Sequence, residues 1–253
     1  MTNHLDIAQL IDSLLPAVRQ AGDAIMAIHR AGFDADQKAD GSPVTEADLQ
    51  AEKIVLQGLK QLAPDIAVVS EENASSHTLS PPDIYFLVDP LDGTREFVRA
   101  DGKGAFTINI ALIQQGVPVA GIVHAPAHDE CYWGIVGDGA HLNGARIEAR
   151  AVPGDGPVAL ASRSHRDAET DNWLAENNVE KTISIGSSLK FCLMARGDAD
   201  IYPRFGPTME WDTAAGHAVL AASGGSVEHP DGKPFNYGKA KYRNGPFVAY
   251  GKR

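Results

Sequence analysis

The run Phe86-Leu87-Val88-Asp89-Pro90-Leu91-Asp92-Gly93-Thr94 drives an apolar segment into two carboxylates, a glycine and a hydroxyl. Hard oxygen ligands gathered on a tight turn suit Mg²⁺, which takes one or two carboxylates plus substrate phosphate and keeps several waters. Tyr85 to Val88 reads as a short buried strand bounded by turn residues. Asp89 is then expected at its carboxyl end, where ligands bind in α/β sheets. Pro90 fixes its own φ, and Gly93 permits backbone angles closed to other residues, so the turn can fold both aspartates toward one point. A simple turn would also explain Asp-x-x-Asp-Gly, because both residue types are common there. An EF-hand is excluded: Gly102 follows Asp101 where alternating oxygen ligands would be needed. A phosphatase with an aspartate nucleophile would space its two aspartates two apart, whereas Asp89 and Asp92 are three apart.

Two further acidic clusters extend the pattern. Ile66 to Ser70 reads as a second strand and delivers Glu71-Glu72 at its end. Far downstream, Glu210-Trp211-Asp212-Thr213-Ala214-Ala215-Gly216 places an acid at the start of an Ala-rich helix running to Ala222. Taken singly, Glu71-Glu72 could be a solvated loop, and Asp212 a first-turn acid favoured by the helix dipole. Together with Asp89 and Asp92 they supply the four carboxylates that two-metal phosphoester cleavage requires.

These motifs, with Ser42-Pro-Val-Thr-Glu-Ala-Asp48 upstream, resemble the inositol monophosphatase superfamily of Mg²⁺-dependent phosphatases. Within it, Gly186-Ser-Ser-Leu-Lys-Phe-Cys192 and Tyr202-Pro-Arg-Phe-Gly-Pro-Thr208 resemble the CysQ branch, the 3′(2′),5′-bisphosphate nucleotidases. The resemblance spans nearly the whole chain and implies a layered α-β-α-β-α sandwich, of mixed α+β and α/β character, with two or three Mg²⁺ per site. It further implies that Glu71, Asp89 and the Leu91 carbonyl hold one Mg²⁺, that Asp89, Asp92 and Asp212 hold a second, and that Thr94 with Asp48 polarises the attacking water. Glu71 would share in the catalytic step. Glu71, Leu91, Asp92, Gly93, Thr94, Lys190, Arg204 and Asp212 would contact substrate. Asp48 also has a local explanation, since Thr45-x-x-Asp48 before an apolar run is a helix capping box. The reaction implied is hydrolysis of adenosine 3′,5′-bisphosphate to AMP and phosphate. Inositol monophosphate or fructose 1,6-bisphosphate are the alternative substrates, and a non-catalytic metal or phosphometabolite sensor is the alternative class.

Composition narrows the partners. A net charge of −11 argues against polymeric nucleic acid, whose binding relies on many Lys and Arg contacts to phosphate. A small polyanion needs cations only locally, and Lys190, Arg204 and the group Arg163, His165 and Arg166 are the candidates. Tyr202 or Phe205 could pack near an adenine, with core packing the expectation for Phe205. The chain lacks an apolar run of the roughly 18 residues that a membrane helix needs. Its amino terminus carries Asp6 and Asp12 in place of a basic signal region. A cytoplasmic protein is expected, with peripheral association at the inner membrane and homodimerisation left open. Cys131 and Cys192 lie in apolar segments without C-x-x-C spacing and are expected as buried thiols.

The elements that must position these residues follow from periodicity. Ile7, Leu10, Ile11, Leu14, Val18 and Ile25 recur at helical spacing, as do Ala47, Ala51, Val55 and Leu59, giving two amphipathic helices. His29, at the end of the first, is expected as a helix-end cation. Phe106 to Ile113 and Val117 to His124 read as a hairpin, continued by strands at Cys131 to Val136 and Ala140 to Leu142. Ala151 to Pro157 is the candidate boundary. It separates an α+β half, 1–150, from an α/β half, 151–253, which alternates strand (Val158 to Ser162), helix (Ala168 to Asn177), strand (Ile183 to Ile185), helix (from Ser188) and the helix after Trp211. The active site would span the junction. Gly137, Gly139 and Gly144 are too poorly spaced for a dinucleotide fingerprint.

Overall fold

The structure is a computed structural model that describes residues 5–33, 35–37, 43–99, 104–162 and 167–253. Arg163, His165, Arg166, Ser42, Asp101 and Gly102 lie outside the described residues. In chain order the first elements are α1 (Ile7–Ala31), the short strands β1 (Ala35–Gln37) and β2 (Pro43–Thr45), and α2 (Glu46–Leu62). Strands β3 (Ala67–Ser70), β4 (Ile84–Asp92), β5 (Thr107–Gln114), β6 (Val117–Ala125), β7 (Glu130–Ile135), β8 (Gly139–Leu142) and β9 (Ala145–Ile147) then form one sheet in sequence order, with α3 (Thr94–Val98) between β4 and β5. Only the β3–β4 pair in it is parallel. The β5–β6 hairpin closes through Gln115 and Gly116, both at positive φ (50° and 76°), the geometry that matches the twist of the strands.

The remaining elements are β10 (Val158–Ser162), α4 (Ala168–Glu176), β11 (Lys181–Ile185), α5 (Leu189–Ala195), β12 (Ile201–Arg204), β13 (Thr208–Met209), α6 (Ala214–Ala222), β14 (Ser226–Glu228), β15 (Arg243–Asn244) and β16 (Phe247–Tyr250). A second, mixed sheet has the order β11-β10-β12-β16-β14. Side-chain alternation assigns the layers. Phe86 and Val88 of β4, with Ile108, Ile110 and Leu112 of β5, face the apolar stripes of α1 and α2. Tyr85, Leu87, Ala111 and Ile113 face the other way, into a core shared with Phe191 and Cys192 of α5, Val219 of α6, and Tyr202 and Phe247 of the second sheet. Leu174 of α4 packs with Ala159 on that sheet's far side. The order is helix, sheet, helix, sheet, helix, as expected. Because helices cover both faces of the first sheet, its strands read as continuous apolar runs although most are antiparallel. Burying each large apolar side chain stabilises this arrangement by about 1.5–3 kcal/mol.

Close approach of α6 to the sheet depends on small residues. A Cβ on Gly121 would lie 2.5 Å from the Ala215 carbonyl oxygen, so even alanine there would push the helix away.

Several expectations need correction. The strand bearing Asp89 does not stop at Val88; it continues through Asp92, with a bulge between Asp89 and Asp92 where Pro90 can offer no ladder donor. His29 lies in the last turn of α1, as expected, and its ring also packs edge-on against Phe97 at 5.1 Å and tilted against Phe106. Phe205 is only partly buried, whereas Tyr202 is the core aromatic, edge-on to Phe191 and Phe247. Cys131 and Cys192 are buried free thiols. Burial pushes the Cys131 thiol up to about 11. Among the described residues no helix is long and apolar enough to cross a membrane.

Candidate active site

The bulge at the end of β4 builds the site. Asp89 is buried, and its Oδ1 accepts the Leu91 N–H at 3.0 Å, which tightens the turn after Pro90. Gly93 follows at φ 90°, and a Cβ there would meet the Ala105 carbonyl oxygen at 2.9 Å, so glycine is required both by backbone angle and by space. The chain then enters α3, and the Thr94 hydroxyl lies 3.1 Å from the Leu91 carbonyl oxygen and 3.2 Å from Asp48 Oδ1.

Asp48 does two things with its two oxygens. Oδ2 accepts from the Thr45 N–H at 2.7 Å and the Thr45 hydroxyl at 2.8 Å, completing the capping box of α2. Oδ1 faces the Thr94 hydroxyl. The two readings of Asp48 are therefore compatible, and α2 is the element that aims it.

The acidic residues converge from three elements. Glu71 follows β3 and is held against β4 by its N–H to the Val88 carbonyl at 3.1 Å. Asp212 lies in the turn before α6, where its Oδ2 accepts the Met209 N–H at 2.8 Å. One carboxylate oxygen each from Glu71, Asp89 and Asp212 lie within 4.8 Å of one another. Asp92 stands beside this triad rather than in it. Its Oδ2 accepts the Ser188 N–H at 2.6 Å and Asn109 Nδ2 at 3.4 Å, so the start of α5 and strand β5 orient it.

Electrostatics follow from packing. Burial, then the charges of Glu71, Asp92 and Asp212, hold the Asp89 carboxyl well above its ordinary range. Burial and then the Asp92 and Glu71 charges do the same to Asp212. Burial raises Asp92 to about 6, although Lys190 and the Ser188 N–H pull the other way. Like charges brought this close and out of water favour protons or a cation. A set made only of carboxylate oxygens, with the Leu91 carbonyl nearby, has the hard-donor chemistry of a Mg²⁺ site, and the residues present fit that ion.

A cavity of about 620 Å³ is lined by Glu71, Asp89, Asp92, Asp212, Lys190 and Arg204 together with the Leu91–Thr94 turn, while Asp48 supports Thr94 from behind and Phe205 is not in the lining. Lys190 is buried, donates to the Ser187 carbonyl, and stands over the Tyr202 ring at 5.1 Å. Burial lowers the Lys190 ammonium to about 8 against the opposing pull of Asp92. Arg204 is buried too, its guanidinium donating to the carbonyls of Gly206 and Pro207 at 3.1 Å each. The Lys190 ammonium also feels the Asp92, Glu96 and Asp212 carboxylates, and the Arg204 charge acts on Asp212. Lys190→Ala is expected to raise KM for a bisphosphate more than for a monophosphate, because it removes charge away from the reacting group. Equal changes on the two substrates would reject that role.

One residue of the wall, His77, carries no sign in the sequence. His77 stacks on Trp211 with ring centroids 4.7 Å apart and reaches the Ser70 carbonyl at 2.8 Å. Ser188 links Asp92 to Asn109, its hydroxyl donating to Asn109 Oδ1 at 2.6 Å. Ser188 falls within the Gly186–Cys192 motif, whereas nothing local marks His77.

Comparison with known proteins accords with this architecture. The family model for the inositol monophosphatase family matches residues 6–249. The chain is 45% identical over 232 residues to the 3′(2′),5′-bisphosphate nucleotidase CysQ of Escherichia coli K12, covering 90% of this chain and 94% of that protein. It superimposes on the crystal structure of CysQ from Bacteroides thetaiotaomicron with a TM-score of 0.81, at 35% identity over 97% of this chain and 98% of that one. An IMPase from Thermotoga maritima gives a TM-score of 0.80 at 25% identity, covering 96% of this chain and 92% of that one. With its acidic turn, its five layers and nearly its whole length accounted for in this way, the chain belongs to the inositol monophosphatase family.

Proposed function

We propose that the protein is a Mg²⁺-dependent 3′(2′),5′-bisphosphate nucleotidase that removes the 3′-phosphate of adenosine 3′,5′-bisphosphate, leaving AMP. The observation that carries the substrate is the 45% identity, across nine-tenths of the chain, to a nucleotidase of that name. Two buried cations, Lys190 and Arg204, in the wall of the acidic cavity support it.

Glu71, Asp89, the Leu91 carbonyl, Asp92 and Asp212 would hold Mg²⁺. When bound, the metal neutralises phosphate charge and lowers the pKa of water, the two things hydrolysis of an anionic ester needs. The protein's own groups do the rest. Asp48 accepts the proton of the Thr94 hydroxyl, which leaves the Thr94 oxygen free to accept from water and orient its lone pair toward phosphorus. The first amides of α3, from Gly93 and Thr94, start a helix and are available to phosphate oxygens. Lys190 and Arg204 take the second phosphate, with the Lys190 ammonium over the Tyr202 ring. No protein nucleophile is involved, so the configuration at phosphorus inverts. The reaction is set in the cytoplasm.

Regiochemistry tests the reading. Adenosine 3′,5′-bisphosphate is expected to yield AMP with its phosphate at the 5′ position, resolved by chromatography against authentic isomers. Accumulation of adenosine 3′-phosphate would contradict the assignment of Lys190 and Arg204 to the remaining phosphate.

A further inference from the structure

Glu210, two residues before Asp212, has a side chain wholly removed from water. A buried carboxylate next to an acidic cluster is costly unless it is paired and hydrogen-bonded. Its partners come from far along the chain. Oε2 accepts the Gly238 N–H and Oε1 the Lys239 N–H, each at 2.8 Å, and the Lys239 ammonium closes on Oε1 at 2.9 Å. Hydrogen bonds to a charged acceptor are about twice as strong as neutral ones, and here two consecutive amides share one carboxylate.

The backbone of the same residue is anchored as well. Glu210 N donates to the Tyr242 carbonyl at 2.8 Å, and the Glu210 carbonyl accepts the Ala214 N–H at 2.9 Å, opening α6. Asn244, in the strand just beyond Tyr242, adds a second tie, its Nδ2 donating to the Met209 carbonyl at 2.9 Å. Between Glu210 and Ala214 lie Trp211, stacked on His77, Asp212, and Thr213, whose hydroxyl Asn244 Nδ2 also holds at 2.9 Å. The 238–244 segment thus serves as a frame for the turn that presents Asp212, and Glu210 is the side chain that fastens the turn to it. The paired ammonium of Lys239 offsets the charge, so the fastening adds little to the negative field at Asp89.

We infer that Glu210 is a positioning residue: by clamping the amides of Gly238 and Lys239 it fixes the Trp211–Asp212 turn, so that the Asp212 carboxylate meets those of Glu71 and Asp89. The inference rests on the metal-site reading above and concerns metal affinity, which can be read without substrate.

The test is titration of the metal-free, full-length protein with Mn²⁺, followed by electron paramagnetic resonance of the free ion, beside thermal melting. Glu210→Ala is expected to weaken Mn²⁺ binding by about 10- to 100-fold, the range typical for residues that orient ligands, and Glu210→Gln by less, because its amide oxygen still accepts from the backbone. Leu174→Ala, in the separate apolar cluster under α4, is expected to lower the melting temperature while leaving Mn²⁺ affinity unchanged. Wild-type affinity in folded Glu210→Ala and Glu210→Gln overturns the inference, as does an equal loss in Leu174→Ala. If Glu210→Ala fails to fold, Glu210→Gln decides alone, since wild-type affinity there also overturns it. Absence of Mn²⁺ binding in the wild type would remove the metal reading and this inference with it. Failure to cleave a nucleotide would leave the Mn²⁺ result intact.

Discussion

Asp92→Asn is expected to lower kcat by roughly three orders of magnitude, since a carboxylate that holds a catalytic metal supplies several kcal/mol of charge stabilisation and each 1.4 kcal/mol is about tenfold. The substitution is nearly isosteric. The Asn carbonyl can still accept the Ser188 N–H that Asp92 Oδ2 accepts at 2.6 Å, so the junction between β4 and α5 is kept. What disappears is the negative charge. Activity and folding should therefore separate: the variant keeps its circular dichroism spectrum and a cooperative melt while phosphate release collapses. Near-normal kcat would refute the metal assignment. A collapsed fold would show that Asp92 has a structural task that the hydrogen bonds do not reveal.

Removal of divalent metal should abolish turnover and lower stability in a pH-dependent way. In the metal-free protein, burial and mutual repulsion raise Asp89 and Asp212 well above the ordinary carboxylate range, and burial raises Asp92 to about 6. From the unfolded-state value near 4 up through the raised native values, the native state binds more protons than the unfolded chain. Stability of the metal-free protein therefore falls as pH rises across that window. Mg²⁺ takes the place of those protons, so the gain in melting temperature on adding it should be larger near pH 8 than near pH 5, where protons compete. At a free concentration of about one hundred times Kd the stabilisation is about 2.7 kcal/mol. For a chain of this size that is a rise of roughly 5–10 °C. An equal gain at both pH values, or none at either, would contradict a site built from these carboxylates.

What could be read from the sequence was local chemistry. Asp89-Pro-Leu-Asp-Gly-Thr94 announces itself because turn residues and ligands are the same few positions, and the capping box at Thr45 to Asp48 is likewise short in range. The apolar periodicities marked α1, α2 and the β5–β6 hairpin as elements, while the order of the layers came from the family resemblance. Longer-range features were not readable. β4 outruns Val88 because its ladder to Thr107 resumes past the bulge, a partner only the sheet can supply. In β12 Tyr202, Pro203 and Arg204 are all buried, so no period-two alternation separates Tyr202 from Phe205, which is half-buried beyond the strand. Nothing local marks Glu210, since its amide partners lie 28 and 29 residues away. His77 meets Trp211 only after two distant turns close on the same cavity.

The most direct measurement is Mg²⁺-dependent phosphate release from adenosine 3′,5′-bisphosphate, inositol 1-phosphate and fructose 1,6-bisphosphate side by side, with Asp92→Asn as the blank. The account predicts a kcat/KM for the nucleotide well above the other two and none of it without metal or in the variant. Preference for inositol or sugar phosphate would keep the acidic site and discard the nucleotide assignment of Lys190 and Arg204. Absence of turnover on all three, with Mg²⁺ bound, would contradict an enzyme and leave a phosphate-binding sensor.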